Sequence, residues 1–275
     1  MTICIVSIQF CKGYSRVEFG NEASDTTRLV NILISVKDKD LNSNGETLVA
    51  IGKELLNTPY NGGTLEGYEE LVRISTDKLD CTTFVELVLS MGKTLAERRS
   101  SWRDVVYNME NIRYRGGKCD GYASRLHYIS DWILDNSFRG NLEEVTTKVG
   151  KADYAVKTLD FMSTHRDKYP ALKDSTNFAQ LKEAEIGYRS HRFPYLKREN
   201  VKNAKLQNGD VVAFTTNVKG LDVTHIGLIV MKDGVPYLMH ASSKAGKVII
   251  EDKPLTEYLR KNQSMTGIRV IRLKE

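Results

Sequence analysis

The chain has 275 residues, 41% of them apolar and 27% charged, which are the proportions of a globular protein with one large domain or two small ones. Its net charge of +5 is spread along the chain without a basic–aromatic patch, so nucleic acid is not an expected partner. No stretch is long and apolar enough to span a membrane. The four cysteines, Cys4, Cys11, Cys81 and Cys119, contain neither a CxxC pair nor a zinc spacing, and no disulfide framework is implied.

Met1 to Phe10 is short and apolar but lacks a positively charged start. Residues 1–22 therefore read as a signal remnant or flexible N-terminus outside the folded core, and 23–275 as a single domain. Phe10-Cys11 is a poor lipoprotein site, because a small residue should precede the cysteine. Asp25-Thr26 reads as the start signal of a helix with Leu29, Ile32, Leu33 and Val36 on one face. A second helix, after the break at Asn42–Gly45, carries Leu48, Ile51, Leu55 and Leu56 and ends at Asn57-Thr58-Pro59. Tyr60-Asn61-Gly62-Gly63-Thr64-Leu65-Glu66-Gly67 is a glycine-rich loop in which backbone can approach a ligand closely. Tyr60 alone reads as a half-buried loop aromatic.

Next comes a strand-like run, Leu71–Ser75, and then Leu79-Asp80-Cys81-Thr82-Thr83-Phe84-Val85-Glu86. Phe84, Val88, Met91 and Leu95 recur with helical spacing, which puts Cys81 at a helix N-terminus. Asp80 and Thr82 are residue types that cap such an end. Free N–H groups and the helix dipole there favour an anion, so the thiol is expected to ionise easily and to serve as a nucleophile. A lone cysteine before a helix is also, more plainly, a small buried hydrophobe. Finding a base decides between the two.

The pattern stays mostly helical to about residue 190, and the segment from about 96 to 200 reads as a helical insertion. Trp102, Val105, Met109 and Ile112 mark one helix; Leu126, Ile129 and Ile133 mark another helix or turn-rich piece that displays Arg125, His127, Tyr128, Asp131 and Trp132. That cluster is either a polar-substrate surface or a solvated helix face. His165 and His191 sit among charged neighbours and read as surface residues. From Leu206 the texture turns to β: Val211–Phe214, Thr224–Met231, Pro236–Ala241, Val248–Ile250 and Ile268–Ile271, with a short helix at Leu255, Tyr258 and Leu259.

Asp233-Gly234 is a hairpin signal. A two-residue turn there pairs Lys232 with Val235 and sets His240 opposite Gly227. His225, Gly227 and Ile229 share a face, so His225 and His240 meet diagonally. Gly227 leaves the space above it free for an imidazole. Ile226, Leu228, Val230 and Met239 make an apolar opposite face that suits a core. Nucleophilic cysteine chemistry needs a base and a group that orients it. Cys81, His225 and His240 supply those types in papain-like order. The same three side chains could alternatively hold zinc.

The series Thr58-Pro59-Tyr60-Asn61-Gly62-Gly63, Leu79–Glu86, Thr224-His225-Ile226-Gly227 and Met239-His240-Ala241-Ser242-Ser243 resembles the NlpC/P60 cell-wall hydrolase superfamily. It is most similar to the N-acetylmuramoyl-L-alanine amidase-like branch known as domain of unknown function 1460, to which Ser124–Trp132 is similar as well. The likeness spans residues 25 to 275. It implies an α+β fold, a papain-like core in which the helix bearing the cysteine packs on an antiparallel sheet. It implies Cys81 as nucleophile, His225 as base and His240 as the orienting residue. Tyr60 and Thr82 would flank the nucleophile, and Arg125 and His127 would line the substrate groove. The expected substrate is peptidoglycan or a muropeptide, with no cofactor or metal, and the expected location is the cell envelope or outside the cell. Thr82-Thr83 departs from the superfamily's usual Ser-Gly, so its γ-D-glutamyl endopeptidase specificity does not transfer and stands as the alternative. An acyltransferase using the same residues and an inactive cell-wall-binding module are the other readings.

Overall fold

The structure, a computed structural model, describes residues 16–274. Its first elements are strand β1 (Val17–Phe19), helices α1 (Glu22–Lys37) and α2 (Asn44–Glu54), strand β2 (Val72–Ile74) and helix α3 (Cys81–Ala96). Each of these helices starts on a side chain that accepts an otherwise orphaned backbone N–H: Asn21 from Ser24, Ser43 from Glu46, Asp80 from Thr83. At α3 the cap is reciprocal, because the Thr83 hydroxyl also accepts the Asp80 N–H at 2.8 Å. Helix α1 begins ahead of the Asp25-Thr26 signal. Asp25 is buried and accepts the N–H and the hydroxyl of Thr76, both at 2.7 Å.

The N-terminal tail expected over residues 1–22 ends sooner. β1 runs parallel to β2, pairing Val17 with Val72, and Phe19 packs edge-on against Trp102 at 5.7 Å. The signal-like stretch Met1–Phe10 lies outside the described residues.

Then follow α4 (Trp102–Arg113), α5 (Ile129–Phe138), β3 (Leu142–Glu144), α6 (Thr146–Val149), β4 (Asp153–Lys157), α7 (Phe161–Thr164), α8 (Ser175–Gly187) and β5 (His191–Lys197). The segment 96–200 is therefore not a purely helical insertion. β3, β4 and β5 extend the main sheet, and α4 joins the principal core through Val105, Met109 and Ile112. β3 has 3 residues and β4 has 5, too few alternations to declare a period of two in the sequence.

The remaining elements are β6 (Val211–Thr216), β7 (Val223–Lys232), β8 (Val235–Ser242), β9 (Lys247–Pro254), α9 (Leu255–Lys261) and β10 (Met265–Leu273). The sheet runs β4-β5-β10-β6-β7-β8-β9, with β3 also on β10, and its pairs are antiparallel. Its two faces carry separate cores. Ile226, Leu228, Val230 and Met239 pack with Leu29, Leu48, Phe84 and Val88 of α1–α3. Phe214, Ile229 and Leu238 pack with Leu255 and Leu259 of α9 on the other side. A Cβ on Gly52 would lie 2.4 Å from the terminal methyl of Met239, so a larger residue there would make the Met239 side chain move where α2 meets the sheet. The result is an α+β architecture, with α3 seated on the antiparallel sheet beside β7.

Candidate active site

Cys81 is the first residue of α3 and is half-buried. Its Sγ accepts the backbone N–H of Ile226 and lies 4.0 Å from the Thr82 hydroxyl. Ile226 follows His225, so the helix start and the histidine strand meet at the thiol. The Thr82 backbone N–H also donates to Sγ, while the Cys81 N–H has no backbone acceptor among the described residues, as first-turn donors of a helix usually do not. The thiol is less acidic than its helix position suggests. Burial, and after it the Asp80 carboxylate, push its pKa up from 9.0 to about 11. The residue that caps the helix brings the negative charge that offsets the dipole.

The β7–β8 turn has φ of 49° at Asp233 and 77° at Gly234, as a two-residue hairpin turn requires. Lys232 pairs with Val235 and Leu228 with Met239, the register expected from sequence. A Cβ on Gly227 would lie 2.9 Å from the Met239 carbonyl oxygen and 3.0 Å from the His240 Cβ. With glycine there, the imidazoles close up: His225 Nε2 and His240 Nδ1 are 2.6 Å apart, with the rings at 85°. His240 Nε2 in turn lies 3.0 Å from Glu251 Oε1. Burial, with the neighbouring His240, takes the His225 pKa down to about 3; burial takes His240 to about 4. Both rings are neutral at neutral pH. Their facing nitrogens are spent on each other and on Glu251 rather than aimed at one point. Among the described residues no group of three or more His, Cys, Asp or Glu is disposed to hold a metal ion.

Tyr60 lies close enough to Cys81 for the two side chains to interact electrostatically. Its N–H donates to the Gly246 carbonyl at 2.8 Å, and it bridges to Leu79 just ahead of Cys81. Burial, Cys81 and Asp80 all raise its hydroxyl pKa, so it stays a donor. Thr82 is likewise at the site.

Arg125 and His127 are not. The Arg125 guanidinium is buried and paired with Glu66 at 2.9 Å and Glu70 at 3.3 Å. His127 packs at a tilt against Tyr122, and its Nε2 donates to the Tyr122 carbonyl at 2.8 Å. The stretch from Arg125 to Tyr128 is extended rather than helical, because α5 starts only at Ile129. Arg125 reaches the glycine-rich loop only through Glu66, as a brace from behind. His165 and His191 are half-buried rather than superficial, for each packs on aromatic neighbours, Phe161 at 4.1 Å and Tyr188 at 5.4 Å.

Two residues at the site escaped the sequence reading. Glu251 sits two residues beyond Ile249, the partner of His240 across the β8–β9 hairpin. Alternation along β9 could have aimed it at His240, but only with the turn register known. Tyr258 of α9 lies 5.5 Å from the His240 ring and 5.4 Å from Phe214, and walls the imidazole pair. Its helical spacing with Leu255 and Leu259 says core, and nothing local says site.

Fold and site together define an α+β protein with a thiol at a helix start and a coupled imidazole pair on the adjoining antiparallel hairpin. The AmiA-like family model, described as N-acetylmuramoyl-L-alanine amidase-like, matches residues 50–268, and the chain belongs to that family. A Bacteroides uniformis ATCC 8492 structure described as an N-acetylmuramoyl-L-alanine amidase is similar at TM-score 0.80 and 36% identity, covering 85% of this chain and 100% of its own. A Bacteroides fragilis structure, provisionally named a xylanase, is similar at TM-score 0.75 and 40% identity over 81% of this chain and 98% of its own. A Legionella pneumophila protein of the DUF1460 family shares the fold at TM-score 0.71 and 21% identity, over 92% and 96%. Among curated proteins, none matches the chain.

Proposed function

We propose that this protein is a cysteine-dependent peptidoglycan amide hydrolase with a papain-like site of the NlpC/P60 type, acting in the cell envelope as an N-acetylmuramoyl-L-alanine amidase. The observation that carries the reading is the thiol at the α3 start, bonded to the peptide next to His225, whose imidazole is tied to His240. The His225 Nδ1 is engaged by no hydrogen bond among the described residues and is the lone pair available to the thiol.

As Cys81 Sγ bonds to the lactyl carbonyl carbon, its proton passes to His225 Nδ1. The carbonyl oxygen becomes an oxyanion, accepting from the Cys81 backbone N–H and the Tyr60 hydroxyl. The imidazolium then protonates the L-alanine nitrogen, the C–N bond breaks, and an acyl thioester remains on Cys81. Water gives a proton to His225 and attacks the thioester, and the departing thiolate takes that proton back. A neutral thiol and a neutral imidazole suit this general-base route, since the proton moves only as the nucleophile attacks.

The xylanase name of one relative points elsewhere, but glycoside hydrolysis needs two carboxylates flanking the bond. The carboxylates at the site are committed, Asp80 to the Thr83 N–H and Glu251 to His240.

The test is digestion of purified muropeptides with mass spectrometry of the products. Release of free stem peptide from the glycan is expected from the wild type and none from Cys81→Ala, with Cys119→Ala unaffected. Near wild-type turnover by Cys81→Ala would overturn the assignment. Cleavage within the stem would make the enzyme an endopeptidase instead.

A further inference from the structure

We infer that Glu251 is a positioning residue of this site: its carboxylate, acting through His240, sets the tautomer of His225 that leaves Nδ1 free to take the proton of Cys81. The inference rests on the reading of Cys81 and His225 given above, and goes one residue beyond the Cys, His and His types.

Which atoms can donate fixes the tautomers. An ionised carboxylate only accepts. Glu251 Oε1 is 3.0 Å from His240 Nε2, so that nitrogen carries the hydrogen. A neutral His240 then has a lone pair on Nδ1, 2.6 Å from His225 Nε2, which must be the donor. Neutral His225 therefore keeps its second lone pair on Nδ1. Without Glu251 the pair is ambiguous. His240 with its proton on Nδ1 would donate to His225 Nε2, and the hydrogen on His225 would move to Nδ1, where it blocks the base. The two arrangements differ by exchange of donor and acceptor along one line, and only the carboxylate distinguishes them. The sequence order of the three groups is fixed by the hairpins β7–β8 and β8–β9, both antiparallel.

The surroundings fit the role. His240 is 2% exposed, so its Nε2 hydrogen needs a protein acceptor, and Glu251 is that acceptor. Glu251 is only partly buried on β9, and Asp252 on the same strand, Tyr258 and Lys261 on α9, and Lys244 in the β8–β9 turn also face it. Burial raises its pKa above the usual carboxylate value and Asp252 adds to the rise, while Lys244 and Lys261 oppose it and favour the ionised form. When His225 becomes an imidazolium during attack, the carboxylate at the far end of the relay stabilises that charge without itself taking the proton.

The experiment uses the full chain labelled with ¹⁵N-histidine. Imidazole nitrogen shifts at neutral pH report the tautomer of each ring without any substrate. Wild type should hold both His225 and His240 with the proton on Nε2. Glu251→Ala should shift His225 toward the Nδ1 proton, and kcat on muropeptide should fall roughly 100-fold or more with KM nearly unchanged. Glu251→Gln should fall between: its amide holds the ring but can flip and donate, so it does not settle the tautomer. Should Glu251→Ala not fold, Glu251→Gln carries the test with the same two readouts. Unaltered tautomers, or a kcat equal to wild type, in the variant would overturn the inference. Full hydrolysis by Cys81→Ala would instead overturn the nucleophile assignment, and the tautomer readout would still decide the role of Glu251.

Discussion

The two histidines are chemically alike and positionally different. His225 adjoins the peptide that bonds the thiol, whereas His240 touches only His225 and Glu251 through its ring nitrogens. His225→Ala should therefore approach the loss seen for Cys81→Ala. His240→Gln should keep partial activity, because an amide oxygen can still accept the His225 Nε2 hydrogen. Steady-state kinetics on one defined muropeptide compares them, and equal losses would mean the two roles are not divided this way. The hairpin made this pairing legible in advance: a two-residue Asp-Gly turn, a glycine opposite His240 and period-two alternation suffice. The acidity of Cys81 was not legible, because the direction depends on burial and on the Asp80 carboxylate, neither of which has a sequence signature.

At the scale of elements, the glycine-rich loop that carries Tyr60 is braced from both sides. Tyr60 is tied to Gly246 in the β8–β9 turn, and Glu66 and Glu70 are tied to buried Arg125. Burial pushes the Glu70 pKa up, with Arg125 opposing. A lone arginine among aromatics in sequence looks like a ligand for a substrate carboxylate; in the fold its partners are two carboxylates brought from a distant loop. Arg125→Met leaves those carboxylates without their cation, and breaking a buried pair costs about 3–5 kcal/mol. The expected outcome is a lower melting temperature and a fall in activity toward every muropeptide alike. A changed choice among muropeptides at unchanged stability would instead make Arg125 a substrate-binding group. α4 is held by a similar interior pair, Arg113 with Glu86 at 2.6 Å, which joins it to α3.

For the whole molecule, the buried imidazoles make stability pH-dependent. His225 has a folded pKa near 3 against 6.5 for an ordinary histidine. Between those values the unfolded chain binds more protons, so stability falls as pH drops below about 6.5. Cys81 acts at the other end: its folded pKa of about 11 against 9.0 makes the folded chain hold the proton longer, so stability falls as pH rises above about 9. Glu70, Glu86 and Glu251 have raised pKa values and oppose the acid-side trend. The His225 share is therefore read as a difference. Melting temperature between pH 6.5 and 4 should fall less steeply in His225→Gln than in wild type, and parallel curves would show that His225 does not contribute.

The features readable from the residues are local: the helix spacing and Asp80 cap that start α3 at Cys81, the turn that registers β7 on β8, and the apolar face beneath the histidines. Each depends on contacts within a few residues or across one tight turn, so periodicity and turn chemistry suffice. Which distant groups meet depends on how the layers come together. The strands β3 and β4 are too short to show their period, and the parallel β1–β2 pair joins segments more than fifty residues apart. Glu251 reaches His240 across a second hairpin, Tyr258 closes on the imidazoles from α9, and Arg125 turns inward to Glu66 and Glu70. Those choices follow from burial: a charge or ring nitrogen taken out of water must find a partner, and the partner's place in the chain is set by how the layers pack.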